Sequence, residues 1–286
     1  MSGRIVLGPN QYGKAEVRLV RITRDTFPDH PGRHVIEDLN ITTQLRGDFE
    51  ACHTEGDNSQ VVTTDTQKNT VYAFAREFGV HSPEQFLLTL GDHFVAEFPW
   101  VTGGTFEAEQ YAWERIDGDH SFVRSGRETR TAAVTLDGDD TVVEAGLKDC
   151  TVLKSTGSEF HGFPRDRFTT LQETTDRILA TSVTATWRYN DPGVSYDEVY
   201  AGVRDTLLTT FAEVHSYALQ QTIFEMGKAV LEKYDQIEEV SLSCPNKHHF
   251  LVDLEPFGLD NPGEVFFAAD RPYGLIQATV QRETTA

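Results

Sequence analysis

The order of elements limits this chain most severely: it reads strand, strand, helix, helix, strand, strand, and then runs through the same order again. Side chains in a strand change face at every residue. Over Gly13–Arg24, Ala15, Val17 and Leu19 alternate with Lys14, Glu16 and Arg18. Over Val35–Arg46, Val35, Leu39, Ile41 and Leu45 oppose Asp38, Asn40, Thr42 and Gln44. The FPDHPGR stretch between them has the Pro/Gly chemistry of a hairpin connection. Val71, Phe74, Ala75 and Phe78 then fall at i, i+3, i+4 and i+7, one face of a helix, with an N-cap expected within Thr64–Thr66 and a C′ glycine at Gly79. Ser82-Pro83-Glu84-Gln85 is a capping box with proline at N1, opening a helix striped by Phe86, Leu90 and Phe94. Strands follow around Phe106–Ile116 and Thr129–Leu136, turned by Asp137-Gly138-Asp139-Asp140.

The second half repeats the pattern without repeating the residues. Leu147–Ser155 and Ser182–Tyr189 read as strands, the latter with Val183, Ala185, Trp187 and Tyr189 on one side. Ser195-Tyr196-Asp197-Glu198 opens a helix carrying Val199, Val203, Leu207 and Phe211. A further helix carries Leu219, Ile223, Met226, Val230 and Tyr234, and strands at Val240–Glu255, Val265–Ala269 and Leu275–Arg282 close the chain. The expected division is residues 1–142 and 143–286. Each unit is an antiparallel four-stranded sheet with two helices on one face, an α+β class. Such a sheet leaves its other face and its edges to be covered, which points to oligomerisation.

Composition narrows the partners. Lys plus Arg number 25 and Asp plus Glu 45, so the net charge is 25 − 45 = −20. That surface repels phosphate backbones and argues against a nucleic-acid partner. It leaves room for a small anion, because one local arginine can override the far field in a low-dielectric pocket. Cys52, Cys150 and Cys244 are too few and too widely spaced for a disulfide framework, which suits a reducing compartment. No apolar run has membrane-spanning length. The N-terminus lacks a signal-peptide core and the C-terminus a targeting tripeptide, so a cytoplasmic location is expected.

The Val240–Glu255 stretch holds the least ordinary chemistry. From Phe250 onward, Phe250, Val252 and Leu254 mark the expected buried side, and counting back by twos places His248 and Asn246 on it. Buried polar groups need partners or a ligand. Pro245 marks a strand start, an edge or a bulge. Cys244 with His248, or Cys52 with His53, could be read as half of a metal site. However, four residues of extended chain separate Cys244 from His248 by roughly 13 Å, and no further ligand motif supports them, so no metal is expected. Dinucleotide, Walker and nucleophile-elbow motifs are absent. The connection from Thr156 to Ala180 is too long for a tight turn and reads as functional.

Six motifs taken together resemble the urate oxidase (uricase) family, built from two tandem T-fold units. They are NQYGK (Asn10–Lys14), VVTTDTQKNTVYAFA (Val61–Ala75), LKSTGSEFHGFPRDRFTTLQET with DRI (Leu153–Ile178), ALQQT (Ala218–Thr222), SLSCPNKHHFLVDL (Ser241–Leu254) and GLIQATV (Gly274–Val280). They run through nearly the whole chain in family order. The resemblance implies a homotetramer whose sheets complete a tunnel-like barrel, with active sites between subunits. It implies cofactor-independent oxidation of urate by O₂ and water to 5-hydroxyisourate and hydrogen peroxide, a step of purine degradation.

The resemblance also assigns residues. Lys14, Thr64 and His248 match the catalytic proton relay. Phe160 matches the ring that stacks on urate, Arg177 and Gln220 the side chains that clamp it, and Asn246 the residue over the ring beside oxygen or water. Leu171, Leu219 and Ile276 match the pocket wall, and Thr64 and Asp65 are expected to reach in from another subunit. Leu219 stands where a valine is common, a change of shape only. The physical reasons run in parallel. An Arg fork donates two parallel hydrogen bonds to a flat anionic edge, and a Gln amide both donates to and accepts from an imide edge. An aromatic face fixes the plane, and a helix N-terminus favours negative charge. Two rival classes remain at this point: a zinc-dependent T-fold enzyme acting on pterins or guanine derivatives, and a non-catalytic purine-binding barrel.

Overall fold

The computed structural model describes residues 3–24 and 32–283. Eight strands follow one another in a single sheet: β1 (Tyr12–Thr23), β2 (Val35–Gly47), β3 (Val101–Gln110), β6 (Thr129–Asp137), β7 (Asp140–Lys154), β8 (Leu179–Tyr189), β9 (Ile237–Leu251) and β10 (Phe266–Gln281). The pairs β1–β2, β2–β3, β3–β6, β8–β9 and β9–β10 are antiparallel. Two short strands, β4 (Trp113–Arg115) and β5 (Phe122–Arg124), form a hairpin of their own. The helices are α1 (Glu50–Thr54), α2 (Thr64–Glu77), α3 (Pro83–Glu97), α4 (Tyr196–Glu213) and α5 (Leu219–Lys233). This is the α+β architecture expected from the alternation of patterns.

The chain divides into two compact units, Met1–Gly146 with Asp191–Asp197, and Leu147–Asn190 with Glu198–Ala286. In the first, Leu39, Ile41 and Leu45 of β2, Phe106 of β3 and Val134 of β6 are buried together with Val71 of α2 and Phe86, Leu90 and Phe94 of α3. In the second, Val183, Ala185 and Trp187 of β8 and Val240, Leu242 and Cys244 of β9 are buried with Val203 and Leu207 of α4 and Ile223, Met226 and Val230 of α5. The opposite face of the second sheet is hydroxylic: Thr184 faces Ser243 and Thr186 faces Ser241 across the ladder. Ser241 and Thr279 are joined there by a 2.7 Å hydrogen bond.

Each unit seats its second helix on the sheet through a glycine. A Cβ on Gly91 of α3 would lie 2.7 Å from Leu136 and 3.1 Å from Phe106, and one on Gly227 of α5 would lie 2.7 Å from Val280. Those distances leave no room for a methyl group, so glycine permits the close approach despite its cost inside a helix. The caps follow the sequence closely for α3, where Ser82 accepts from the Gln85 amide behind Pro83. For α2 the N-cap is Thr63, which accepts from the Thr66 amide at 3.0 Å. Thr64 is thus the first helical residue and not the cap.

Several expectations are corrected. β3 ends at Gln110, because Trp113–Arg115 leaves the main sheet to pair with Phe122–Arg124. β7 begins at Asp140, directly after a turn in which Gly138 takes φ +60°. β10 is one strand where two were expected, interrupted by a bulge rather than a turn. On β9 the buried side is Ile237, Val240, Leu242 and Cys244, whereas Phe250 is 53% exposed and the strand ends at Leu251. Alternation gives the right parity for Val240, Leu242 and Cys244, but Phe250 lies beyond the buried run and is left uncovered by the described residues. The FPDHPGR connection lies mostly outside the described residues.

A buried ion pair ties the first unit together. Arg130 of β6 donates to both carboxylate oxygens of Glu84, at 3.1 and 2.8 Å, and to Asp197 at 2.6 Å. The Glu84 side chain is 0% exposed and that of Asp197 is 63% exposed. Removing one member of a buried pair strands the other charge, at a cost of about 3–5 kcal/mol. An exposed partner contributes at most about 1 kcal/mol. Arg130→Met is therefore expected to lower the chemical denaturation midpoint far more than Asp197→Asn does. Equal shifts in the two variants would contradict this assignment.

Candidate active site

The long connection between β7 and β8 is folded by its own polar side chains. Asp176 accepts from the Thr156 hydroxyl at 2.9 Å and from the Gly157 amide at 3.1 Å, closing the base of the loop. Phe160 and Thr174 exchange backbone hydrogen bonds at 2.8 and 3.0 Å, and the Arg177 amide donates to the Ser158 carbonyl at 2.8 Å. These contacts bring Phe160 and Arg177 together although seventeen positions separate them (177 − 160). The Arg177 guanidinium carbon lies 5.1 Å from the centroid of the Phe160 ring, which also stacks on Phe163 at 5.1 Å.

Arg177 is unusual electrostatically. Its Nε is buried without a hydrogen-bond partner, and no carboxylate pairs with its guanidinium among the described residues. Burial lowers its pKa, and no neighbouring charge opposes that shift. Even a half-buried cation without a counter-charge is costly unless a ligand supplies one.

The same loop is sewn to the start of α5. Ser158 and Ser216 form a parallel bridge, with the Glu159 amide donating to the Ser216 carbonyl and the Ser216 amide to the Gly157 carbonyl. Thr222, in the first turns of α5, donates to the Ser216 hydroxyl at 2.8 Å. Leu219 is buried and Gln220 exposed at the head of that helix. Its N-cap, Ala218, supplies no side-chain acceptor, so the first-turn amides are left for solvent or a ligand. On β9, Asn246 stands opposite Thr181 of β8 and Gly274 of β10, and His248 stands opposite Ala269. Between those two rungs β10 has four residues (270–273) against one on β9 (Lys247), a bulge of the kind found beside active sites. Ile276, opposite Cys244, is half-buried. Leu171 is 53% exposed, and its carbonyl accepts from Arg165 at 3.1 Å.

The remaining candidates belong to the first unit. Lys14 opens a second bulge, two residues of β1 (Ala15 and Glu16) against one of β2 (Thr42), in which Glu16 takes φ +57°. Thr64 is half-buried at the first position of α2, and Asp65 is exposed beside it. The Asp65 carboxylate accepts from Lys68 at 2.5 Å and Asn69 at 2.9 Å. These contacts, Lys68 foremost and the Lys14 charge in a smaller part, hold its pKa below the ordinary carboxylate range. Lys14, Thr64 and Asp65 thus form one group on the first unit. Phe160, Arg177, Leu219, Gln220, Asn246, His248 and Ile276 lie on neighbouring segments of the second.

Two residues that hold this arrangement lie inside the Leu153–Ile178 motif, which assigns them no role of their own. Asp176 closes the loop, and Lys154 donates to the Phe211 and Val214 carbonyls at the end of α4. Among the described residues no group of three or more His, Cys, Asp or Glu side chains is placed to hold a metal ion. Cys244 is fully buried, and burial pushes its thiol up to about 11, which suits an inert core residue.

Known proteins match this chain along almost its full length. The uricase family model covers residues 10–135 and 143–277. A uricase of Arthrobacter globiformis is 64% identical over 281 residues, spanning 98% of this chain and 91% of that protein. A uricase of Cyberlindnera jadinii is 39% identical, spanning 97% of each. The crystal structure of the Arthrobacter globiformis uricase superposes with a TM-score of 0.94, covering 99% of this chain and 97% of that one, at 63% identity. A uricase from Bacillus fastidious superposes at 0.82 with only 26% identity, covering 96% of this chain and 94% of that one. With two matched segments of the family model, relatives well above 30% identity and the same fold, the chain belongs to the uricase family.

Proposed function

We propose that the protein is a urate oxidase that works as a homotetramer, converting urate, O₂ and water to 5-hydroxyisourate and hydrogen peroxide without a metal or organic cofactor. The observation that carries this reading is the half-buried Arg177, its Nε buried and its guanidinium over the Phe160 ring, with no carboxylate partner among the described residues. A flat anion fits that pair: the ring takes one face and the fork takes an edge. Gln220 at the head of α5 would read the opposite imide-like edge with its donor and acceptor. Leu171, Leu219 and Ile276 would close the wall. The exposed apolar residues Phe250, Leu251, Phe267 and Leu275 on the outer part of β9 and β10 are a surface that a second copy would cover.

The reaction withdraws two electrons from urate, passes them to O₂ and adds hydroxide from water to the oxidised ring. Urate becomes a better electron donor as it loses protons, so the protein's task is proton removal. Lys14 would act as the base and Thr64 as the relay, since a hydroxyl donates and accepts at once. The α2 N-terminus at Thr64 and Asp65 would favour the negative charge that accumulates on the ring. His248, whose ring nitrogens can donate and accept hydrogen bonds, would orient the attacking water together with Asn246. In this reading Lys14, Thr64 and Asp65 come from one protomer and the clamp from another.

Loss of the urate absorbance band with matching release of peroxide, in protein treated with a chelator, tests the whole reading. Binding of urate without turnover, or activity that requires added zinc, would refute it. Lys14→Met and Thr64→Ala are each expected to lower kcat by roughly 10²-fold or more, the scale of a positioned base, with the oligomer intact by light scattering. Wild-type turnover in either variant removes the relay. Arg177→Lys is expected to raise KM with a smaller change in kcat, because an ammonium cannot make the bidentate contact. An unchanged KM would show that the clamp is elsewhere.

A further inference from the structure

The residues on either side of Phe160 do something that its stacking role does not require. Glu159 places one carboxylate oxygen 2.6 Å from His215 Nε2 and the other 2.8 Å from His161 Nε2. A carboxylate only accepts, so both imidazoles must carry their proton on Nε2 and donate it. Those bonds, His215 first, hold the Glu159 carboxyl below the ordinary carboxylate range. The Glu159 side chain is 14% exposed, and the two histidines are about half exposed.

We propose that Glu159 is a positioning residue, a two-armed clasp that fixes the Phe160 ring against the segment leading into α5. One arm stays on the Phe160 segment at His161. The other crosses to His215, one residue before the Ser216 bridge and five before Gln220. The clasp therefore sets the spacing between the stacking ring and the imide-reading amide, and it rests on the reading that Phe160 and Gln220 hold urate. The other charged groups nearby are already engaged. Asp176 holds Thr156 and Gly157, and Glu173 accepts from the Gly162 amide at 3.1 Å. Lys154 caps α4, and Arg177 lies over Phe160. Tyr217 packs edge-on to His215 at 5.1 Å and supports the far arm from its own side. Among the described residues, the Glu159–His215 ion pair links the Phe160 segment to the approach to α5.

Steady-state urate oxidation by three single variants and one double variant tests this. Misplacing a substrate-holding group by a fraction of an ångström weakens binding, so Glu159→Ala is expected to raise KM for urate about tenfold and change kcat far less. Glu159→Gln, which can accept from one histidine and donate to the other, is expected to return KM to within about threefold of wild type. His215→Ala, at a half-exposed position, removes one arm and raises KM by less than Glu159→Ala. The double variant is no worse than Glu159→Ala alone, because the two residues act as one unit. A wild-type KM in Glu159→Ala, or a Gln variant as impaired as the Ala variant, overturns the clasp and leaves the urate reading standing. If Glu159→Ala does not assemble, a wild-type KM in His215→Ala overturns it equally. Failure of the unaltered protein to consume urate overturns the activity, and the clasp's role with it.

Discussion

A guanidinium held beside an aromatic ring, with its Nε buried and no carboxylate among the described residues to balance it, is the interaction on which the site depends. The chain has 45 acidic side chains against 25 basic ones, so a paired arginine would have been easy to arrange. Arg130, Arg18 and Arg188 all have carboxylate partners. Arg177 does not, and the loop that carries it is fastened by four other polar side chains, Thr156, Asp176, Ser216 and Thr222, whose hydrogen bonds keep it in place. An unpaired cation of this kind is tolerated where an anion is to arrive, because the field of the protein is otherwise hostile to one.

The scaffold around it uses the same devices twice. In each unit a glycine lets the second helix lie directly on the sheet, Gly91 in one and Gly227 in the other. Each unit also has a bulge beside a candidate proton-transfer residue, Lys14 on β1 and Asn246–His248 opposite β10. A bulge turns a side chain out of the regular alternation and ends local pairing. The tandem architecture thus repeats its backbone irregularities even though the residues at them differ.

Much of the fold was legible because burial on one face writes a period into the sequence. The Phe86, Leu90 and Phe94 stripe and the alternation of Val183, Ala185 and Trp187 are each buried as read. The Ser82 capping box was legible too, since its bonds are local. Long-range pairing leaves no such mark, which is why the β4–β5 hairpin, helix α1 and the continuous β10 were not anticipated. The outer end of β9 misled for a different reason. Phe250, Val252 and Leu254 alternate as core residues do, but the described residues leave Phe250 uncovered. The site residues stand in the family motifs, and Glu159, Asp176 and Lys154 stand in the same Leu153–Ile178 motif, but they hold the loop through long-range contacts that no spacing announces.

The central claim is that a group on the first unit and a group on the second meet over one urate between different protomers. Co-expression of Lys14→Met chains with Arg177→Ala chains tests it directly, since mixed oligomers then contain some interfaces with an intact lysine from one chain and an intact arginine from the other. The account predicts urate turnover in the mixture well above that of either variant purified alone. Turnover no higher than in the separate variants, in oligomers shown by mass spectrometry to contain both chains, would mean that each chain builds its site alone.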